Sequence, residues 1–336
     1  MKVWQLRAGA ASLNSLQQVE VEKPTPRRNE VLVRVRACSI NNRDQMIAAG
    51  VSSVHGRIDH SIVPLSDGVG EIEAIGPDVK RYRVGDRVAG AFHQNWTDGR
   101  INANMGPALG GTHGIGMLAE YVALPETGVV PMAASLSYDE AATLPCAGVT
   151  AWNALMEGRN PVKPGDQVLL QGTGGVSLLA LQIAKAAGAS VILISSSETK
   201  LARAGRLGAD HLINYRAVQN WGVEAAKISG RGGVDHVIDI GGADTLDQSI
   251  QAIGYGGEIS VLRGGELTAL RTLLVKGSSV RGIFVGSAAM AKALNTFIDE
   301  HGIKPVIDRT FSFGKAKTAF SYQSRPDLFG KVVIRT

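Results

Sequence analysis

Glycines at the junction of a predicted strand and a predicted helix carry the strongest chemical signal in this sequence. The apolar run Gln167–Gln171 leads into Gly172, Gly174 and Gly175, and a helix is predicted over 177–187. Glycine lets the chain turn tightly and lets a pyrophosphate approach the backbone, while a helix N-terminus offers unpaired N–H groups and a positive dipole end. A tight turn without a ligand is the alternative. The strand and helix on either side favour a dinucleotide site.

The end of the next predicted strand, 191–195, indicates which dinucleotide binds. NAD-binding proteins place an acidic residue here to accept hydrogen bonds from the ribose hydroxyls, whereas this strand runs into a row of serines. We expect Glu198, which follows, to form a capping box with Ser195. The absence of an acidic partner predicts NADPH, with NADH as the alternative. The hydroxyl and basic side chains available to a 2′-phosphate are Ser195, Ser196, Ser197, Lys200, Tyr215 and Arg216.

Alternating strands and helices must position these groups. Ser137, followed by Glu140, predicts the N-terminus of a first helix, and a second is predicted over 148–156. The apolar runs are too continuous for a sheet with one solvent-facing side, which predicts a doubly wound parallel sheet with helices on both faces. The further strands are predicted at 211–214, 236–240, 258–262 and 280–285, and a further helix at 198–207.

The first 125 residues have a different texture, with short strands, turns and little helix. The predicted strands are 1–6, 19–21, 30–37, 68–75 and 86–91. Residues 91–117 are rich in Gly and Asn, show no clean period, and are expected to form a loop beside a cleft. After a predicted helix near 288–300, the strand-like stretches 306–313 and 331–334 could return to this first part of the chain.

Composition excludes several classes of function. A chain of 336 residues with 44% hydrophobic residues predicts two domains. The net charge of +5 is spread singly along the chain, which does not favour nucleic acid, and no apolar run is long enough to span a membrane. We expect a cytoplasmic protein. Two cysteines, Cys38 and Cys146, are too few for a disulfide framework and too far apart in sequence for a local metal clip.

An ordered series of motifs resembles the medium-chain dehydrogenase/reductase superfamily over nearly the whole chain, and within it the zinc-free quinone oxidoreductase and enoyl reductase branch. The resemblance implies a β-rich, GroES-like catalytic domain over 1–125, completed by 286–336, and a Rossmann domain over 126–285. The motifs are EVLVRVRACSINNRD (30–44), PLSDGVGEIEAIG (64–76), VGDRVAG (84–90), AEYVALP (119–125), EAATLPCAGVTAWNAL (140–155), the glycine turn, LGADHLINYR (207–216), GGVDHVIDIGG (232–242) and GKVVI (330–334).

The sequence departs from zinc alcohol dehydrogenases of the same superfamily at the metal ligands. Those enzymes carry a cysteine where this chain has Asn41 and a His-Glu pair where it has Ser66-Asp67, and they often carry four clustered cysteines. A catalytic zinc needs about three N, S or carboxylate ligands in one geometry, so we expect no metal, with an improvised zinc site as the alternative. The histidines His55, His60, His93 and His113 are expected to be ordinary surface or loop residues.

The resemblance also implies roles for individual residues. Asn41 and Asp44 are expected at the floor of a cleft and, with Thr150 near the nicotinamide, are the expected catalytic residues; turn and capping chemistry is the alternative for the first two. The backbone of 283–285 is expected to meet the carboxamide. The residues expected to bind the cofactor are Gly172, Thr173, Gly174, Gly175, Val176, Ser195, Ser196, Ser197, Lys200, Tyr215, Gly241, Ile283, Phe284 and Val285.

An activated acceptor suits a site without metal, because hydrogen-bond donors need only stabilise an enolate or phenolate. The expected reaction is NADPH-dependent hydride transfer to a quinone or an α,β-unsaturated carbonyl, with a small molecule as the partner. A zinc-independent alcohol dehydrogenase and a non-enzymatic NADPH-binding sensor are the alternatives. The apolar edge strand predicted at 280–285 also predicts a homodimer.

Overall fold

The structure is a computed structural model that describes residues 1–51, 58–112, 115–266 and 269–336. The chain divides into two compact units. Unit 1 consists of Met1–Val149 and Val285–Thr336, and unit 2 of Thr150–Phe284. The assignment of 1–125 with 286–336, and of 126–285, to a catalytic and a dinucleotide-binding domain stays a prediction. No helix in the described ranges has the length and apolar character needed to cross a membrane.

The N-terminal part of unit 1 consists mainly of β-strands. Its strands and helices are β1 (Lys2–Leu6), β2 (Leu16–Glu20), β3 (Glu30–Ile40), α1 (Asn42–Ala48), β4 (Asp67–Ile75), β5 (Arg87–Gly90), β6 (Tyr121–Pro125), β7 (Val129–Pro131) and α2 (Tyr138–Ala141). The predicted cap of α2 is confirmed, because Ser137 Oγ and the Glu140 side chain form a capping box. A π-helical turn, Leu144–Gly148, follows α2.

Unit 2 alternates strands and helices. Its elements are α3 (Val149–Met156, whose first residue belongs to unit 1), β8 (Gln167–Gln171), α4 (Gly175–Ala186), β9 (Ser190–Ser195), α5 (Glu198–Arg206), β10 (His211–Asn214), α6 (Trp221–Ser229), β11 (Val234–Asp239), α7 (Leu246–Ala252), β12 (Ile253–Val261), α8 (Leu270–Lys276) and β13 (Ser279–Gly282). The strands form a parallel sheet in the order β10-β9-β8-β11-β12-β13. This is the doubly wound order of dinucleotide-binding sheets, so the predicted α/β fold class is confirmed.

The C-terminal tail completes unit 1. It contains α9 (Ala288–His301), β14 (Ile307–Ser312), α10 (Ala316–Gln323) and β15 (Lys331–Arg335). Strand β15 pairs antiparallel with β3, with Val332 opposite Ile40, and the sheet order is β14-β15-β3-β4-β5-β7 with β6 also paired to β3. The return of the tail to the first part of the chain is therefore confirmed. Phe320 of α10 is fully buried in the same core as Ile40.

The prediction of little helix in the first 125 residues is confirmed, because α1 is the only α-helix among the described residues there. The predicted capping box of α5 is wrong. Ser195 does not cap α5 with Glu198, because it lies inside β9. Ser197 is the N-cap instead, accepting a hydrogen bond from the backbone N–H of Lys200, and Glu198 Oε1 accepts one from Asn214 Nδ2 at 2.5 Å.

Candidate functional site

The glycine turn of unit 2 has open space where a ligand's phosphates would need it. Gly172 follows the last residue of β8 and has φ +71°, in the left-handed region that favours glycine. Gly174 is the N-cap of α4 in an extended conformation, and a Cβ added there would meet nothing within 4 Å. Neither strain nor crowding within the chain explains glycine at position 174. An open, uncapped helix N-terminus is what a pyrophosphate requires, so these residues fit the dinucleotide that the fold implies.

A buried hydrogen-bond network fixes the neighbouring strand ends. Gln171 Nε2 donates to Asp239 Oδ2 at 3.1 Å, and Gln171 Oε1 accepts from the backbone N–H of Ile240 at 3.1 Å. These bonds join β8 to β11, where the strand order changes direction and ligands bind in open α/β sheets. Gly241 lies beside them, and a Cβ there would lie 2.4 Å from Thr245 Oγ1, so packing alone accounts for that glycine. Its expected contact with cofactor stays a prediction.

The residues proposed for a 2′-phosphate gather at the ends of β9 and β10. Ser195 pairs with Asn214 across the two strands, and the backbone N–H of Tyr215 donates to the Ser195 carbonyl at 3.2 Å. Ser197 caps α5 and Lys200 lies in its first turn. Tyr215 is 40% exposed.

The other residues predicted near the nicotinamide lie at the start of helix α3 or after the end of strand β13. Thr150 is buried in the first turn of α3 in unit 2. Strand β13 ends at Gly282, so the strand predicted to run to residue 285 is shorter than expected. The backbone N–H of Ile283 still donates to Val261, and Val285 has φ +57°, which is an outlier for a β-branched residue. Strain of this kind concentrates at functional sites.

A buried polar cluster in unit 1 surrounds Asn41. The Lys331 ammonium Nζ lies 2.5 Å from Asn41 Oδ1, 2.9 Å from the Ile40 carbonyl oxygen and 3.2 Å from Asp67 Oδ2. Asn41 is 9% exposed, and its Nδ2 has no hydrogen-bond partner among the described residues. Leaving a buried donor unsatisfied costs about 1–3 kcal/mol, which an acceptor on a bound ligand would offset. Lys331 was not among the residues predicted from sequence.

Asp44 is the third residue of α1, whose N-cap is Asn41. Its Oδ2 accepts a hydrogen bond from the backbone N–H of Asn41 at 2.7 Å, and its Oδ1 lies 3.3 Å from Arg43 Nη1. Burial raises the pKa of Asp44 to about 6, and the Arg43 guanidinium opposes that rise. These contacts are those of the capping alternative, while a catalytic role for Asp44 stays a prediction.

The side chains at the metal-ligand positions do not fit a catalytic zinc. Asp67 is fully buried and already accepts from Ser39 Oγ at 2.8 Å and Ser66 Oγ at 3.1 Å, in addition to the Lys331 ammonium. Burial, followed by the nearby Asp67 charge, raises the pKa of Cys146 to about 12, so its thiol stays protonated. In the ranges that the structure describes, no group of three or more His, Cys, Asp or Glu side chains could hold a metal ion.

The part of the expected loop around His93 packs more closely than the sequence indicates. His93 was expected to be an ordinary surface or loop residue, but it is only 3% exposed, and burial lowers the pKa of its imidazole. Its Nδ1 lies 3.1 Å from the Gly106 carbonyl oxygen, and Trp96 is buried beside it. His60 is exposed as expected. His55 and His113 lie outside the described residues.

Two family models match the chain in the order expected for this architecture. The alcohol dehydrogenase GroES-like domain matches residues 27–134. The zinc-binding dehydrogenase model matches residues 175–300. The second description names zinc, but the residues described above do not supply ligands for it.

Relatives and solved structures extend this match to the full chain. A zinc-type alcohol dehydrogenase-like protein of Schizosaccharomyces pombe is 42% identical over 316 residues, covering 91% of this chain and 90% of the relative. A 2-methylene-furan-3-one reductase of Solanum lycopersicum is 31% identical, covering 99% of this chain and 79% of the relative. The crystal structure of a candidate alcohol dehydrogenase from Sinorhizobium meliloti 1021 has a TM-score of 0.89 at 40% identity, with all of both chains covered.

The sheet order, the glycine turn at the end of β8, the GroES-like match and these relatives agree with one another. The chain belongs to the medium-chain dehydrogenase/reductase superfamily of oxidoreductases.

Proposed function

We propose that this protein transfers hydride from NADPH to a quinone or an α,β-unsaturated carbonyl without zinc. The observation that carries the proposal is the Asn41 amide. Its Oδ1 is engaged by Lys331, while its buried Nδ2 donor has no acceptor among the described residues. A donor of this kind stabilises negative charge as it develops on an acceptor oxygen. The metal positions are occupied by a neutral amide, a hydroxyl and a carboxylate already paired with an ammonium.

The cofactor's place in the proposal rests on unit 2. The glycine turn at Gly172 and Gly174 would hold the pyrophosphate against the N-terminus of α4. Ser195, Ser197 and Lys200 would hold the 2′-phosphate, and NADPH is preferred because no acidic side chain follows β9 directly. When bound, this cofactor supplies hydride.

The Asn41 amide then has one task during reduction. Hydride adds to the electrophilic carbon, the carbon–carbon π electrons move toward the oxygen, and the Asn41 amide donates to that oxygen. A proton from solvent completes the saturated ketone or the hydroquinone, which balances the two electrons and the two hydrogens. A weakly activated ketone or alcohol would gain less from a single amide donor than from a metal. The 2-methylene-furan-3-one reductase relative, whose name specifies an enone, supports this choice.

Steady-state oxidation of NADPH and NADH tests the proposal, with quinones, enones, simple ketones and alcohols supplied one at a time. We expect turnover with quinones or enones, a preference for NADPH, and no effect of a chelator. Activity restricted to simple ketones or alcohols would support the alcohol dehydrogenase alternative. Tight NADPH binding without turnover of any acceptor would support a sensor.

A homodimer, like a cytoplasmic location, stays a proposal. Strand β13 is an edge of the six-stranded sheet, and Val280 on it is 37% exposed. The adjoining α8 exposes Leu270, Leu274 and Val275. An unpaired strand edge with apolar neighbours suits pairing across a two-fold axis. Sedimentation at micromolar concentration would give twice the chain's mass if the proposal is correct and 35.3 kDa if it is wrong.

A further inference from the structure

Every N–H bond of the Lys331 ammonium has an acceptor in the protein. The acceptors are the Ile40 carbonyl oxygen, Asn41 Oδ1 and Asp67 Oδ2, at 2.9, 2.5 and 3.2 Å, and the residue is only 3% exposed. An ammonium has three donors and no acceptor, so Lys331 is saturated in this position. It thereby holds the end of β3, the residue before α1 and the start of β4 together.

This saturation decides which way the Asn41 amide faces. Lys331 can only donate, so the amide atom beside it must be Oδ1, and Nδ2 must face away. The backbone N–H of Asn41 is held separately by Asp44 Oδ2 at 2.7 Å. The amide is thus fixed on its oxygen side and presents a buried donor with no acceptor among the described residues.

We propose that Lys331 is a positioning residue that orients the Asn41 amide so that Nδ2 donates to the substrate oxygen. The inference rests on the proposed function, since it specifies how that site holds its donor. Bonding to a cation draws electron density toward Oδ1 and makes the Nδ2 hydrogens better donors. Lys331 acts through Asn41 and does not itself contact the substrate.

A purely structural role is the competing explanation, because Lys331 also neutralises buried Asp67. Removing the lysine alone would leave that carboxylate buried and unpaired, which would disturb the fold for a reason unrelated to Asn41. The test must therefore remove both charges together. Two double variants do so and differ in one property, namely whether position 331 retains a hydrogen-bond donor.

The first variant, Lys331→Met with Asp67→Asn, has neither the buried charges nor the donor. We expect its kcat with an enone or quinone to fall about tenfold to hundredfold, since removing one donor to an oxyanion has effects of this order or larger. The KM for NADPH should stay within twofold. The second variant, Lys331→Gln with Asp67→Asn, restores a donor without charge and should recover most of the lost kcat. Lys185→Met with Asp210→Asn removes an exposed Lys–Asp pair elsewhere and is the matched control.

The side-chain amide signal of Asn41, measured by NMR on asparagine-labelled protein and identified by its loss in Asn41→Ala, gives a readout independent of turnover. We expect it to move in the Met variant and to stay near its wild-type position in the Gln variant. Unchanged kcat and an unchanged signal in the Met variant would overturn the proposal. If the Met variant does not fold, a folded Gln variant with turnover as low as Asn41→Ala would overturn it. If the wild type reduces no acceptor, the proposed function fails, and the NMR signal alone still decides the role of Lys331.

Discussion

Asp44 Oδ2 accepts a hydrogen bond from the backbone N–H of Asn41 at 2.7 Å, and the carboxyl that does so is almost completely buried. Its pKa is raised by burial to about 6, from an ordinary value of 3.8. A raised carboxyl pKa means that the folded state holds the proton more tightly than the unfolded state. The stability that the protonated Asp44 carboxyl contributes to the folded state is complete below about pH 4 and is lost as the pH rises through 6.

Asp44→Asn should therefore flatten the dependence of stability on pH. We compare the free energy of unfolding of the variant with that of wild type. The difference, variant minus wild type, should be roughly 2–3 kcal/mol larger at pH 7 than at pH 4, at about 1.4 kcal/mol for each unit of pKa shift. Urea denaturation at the two pH values measures the difference. Asp244→Asn, at an exposed position, is the control. Parallel pH profiles for Asp44→Asn and wild type would show that Asp44 is not the group responsible.

Gly174→Ala should weaken cofactor binding and lower the stability of the fold by at most about 1 kcal/mol, because alanine is a poorer N-cap than glycine. The added Cβ meets nothing within 4 Å in the protein, and its extended backbone suits alanine, but the methyl group would enter the space assigned to the pyrophosphate. We expect the Kd for NADPH to rise about tenfold or more, since phosphate contacts to backbone N–H groups are charge-assisted. Cofactor fluorescence measures the Kd and calorimetry the Tm. Gly314→Ala is the control, because a Cβ added at Gly314 also meets nothing within 4 Å. An unchanged Kd for NADPH in Gly174→Ala would argue against this binding site.

Lys200→Ala should change the choice between the two nicotinamide cofactors. A lysine in the first turn of α5 would bind the 2′-phosphate, which only NADPH carries. We expect the KM for NADPH to rise about tenfold and that for NADH to stay within twofold, from the loss of one charged hydrogen bond. Lys227→Ala in α6, which removes an exposed lysine, is the control. Equal effects on both cofactors would place the 2′-phosphate elsewhere.

Asn41→Ala should lower turnover much more than cofactor affinity. Loss of the Nδ2 donor removes an interaction that strengthens as charge develops on the acceptor oxygen, so kcat should fall about a hundredfold. The Kd for NADPH should stay within threefold. The adjacent Asn42 is exposed, and Asn42→Ala controls for general effects of substitution at the start of α1. Equal losses in kcat and affinity, or no loss in either, would count against Asn41.

Cys146 should resist alkylation at neutral pH although it is only partly buried. Its pKa of about 12 leaves almost no thiolate, which is the reactive form. After treatment with iodoacetamide at pH 7.5, mass spectrometry should find Cys146 unmodified in the native protein and modified in the unfolded protein. Rapid modification of the native protein would contradict the protonated thiol described here.

Patterns within short segments predicted most of the strands and the fold class. β8 and β10 were predicted with their observed bounds, because Gly and Asp residues mark the turn before each of them. β3 was predicted to end at 37 but continues to Ile40. Its last residues are buried on both faces, so the alternation used to recognise it stops there. Helices α6, α7, α8 and α10 were missed because packing on neighbouring elements, rather than a strong local pattern, stabilises short helices.

The site was predictable where it is local and not where it depends on distant residues. The glycine turn is encoded by consecutive residues. Lys331, however, meets Asn41 and Asp67 only because β15 returns to pair with β3, at a sequence separation of 290 residues from Asn41. The one signal for it was a lysine that opens the buried and otherwise apolar residues 331–334 of β15. Without the strand order, that lysine is indistinguishable from an exposed strand end.

The position of the transferred hydrogen in the product distinguishes hydride addition to the double bond from reduction of the carbonyl. NADPH deuterated at the reactive carbon of the nicotinamide would be supplied with an enone such as 4-phenyl-3-buten-2-one, and the product examined by mass spectrometry and NMR. Hydride transfer to the activated double bond predicts the saturated ketone, with deuterium at the carbon β to the carbonyl. An allylic alcohol with deuterium on the carbinol carbon would contradict the account, because it would show direct reduction of the carbonyl.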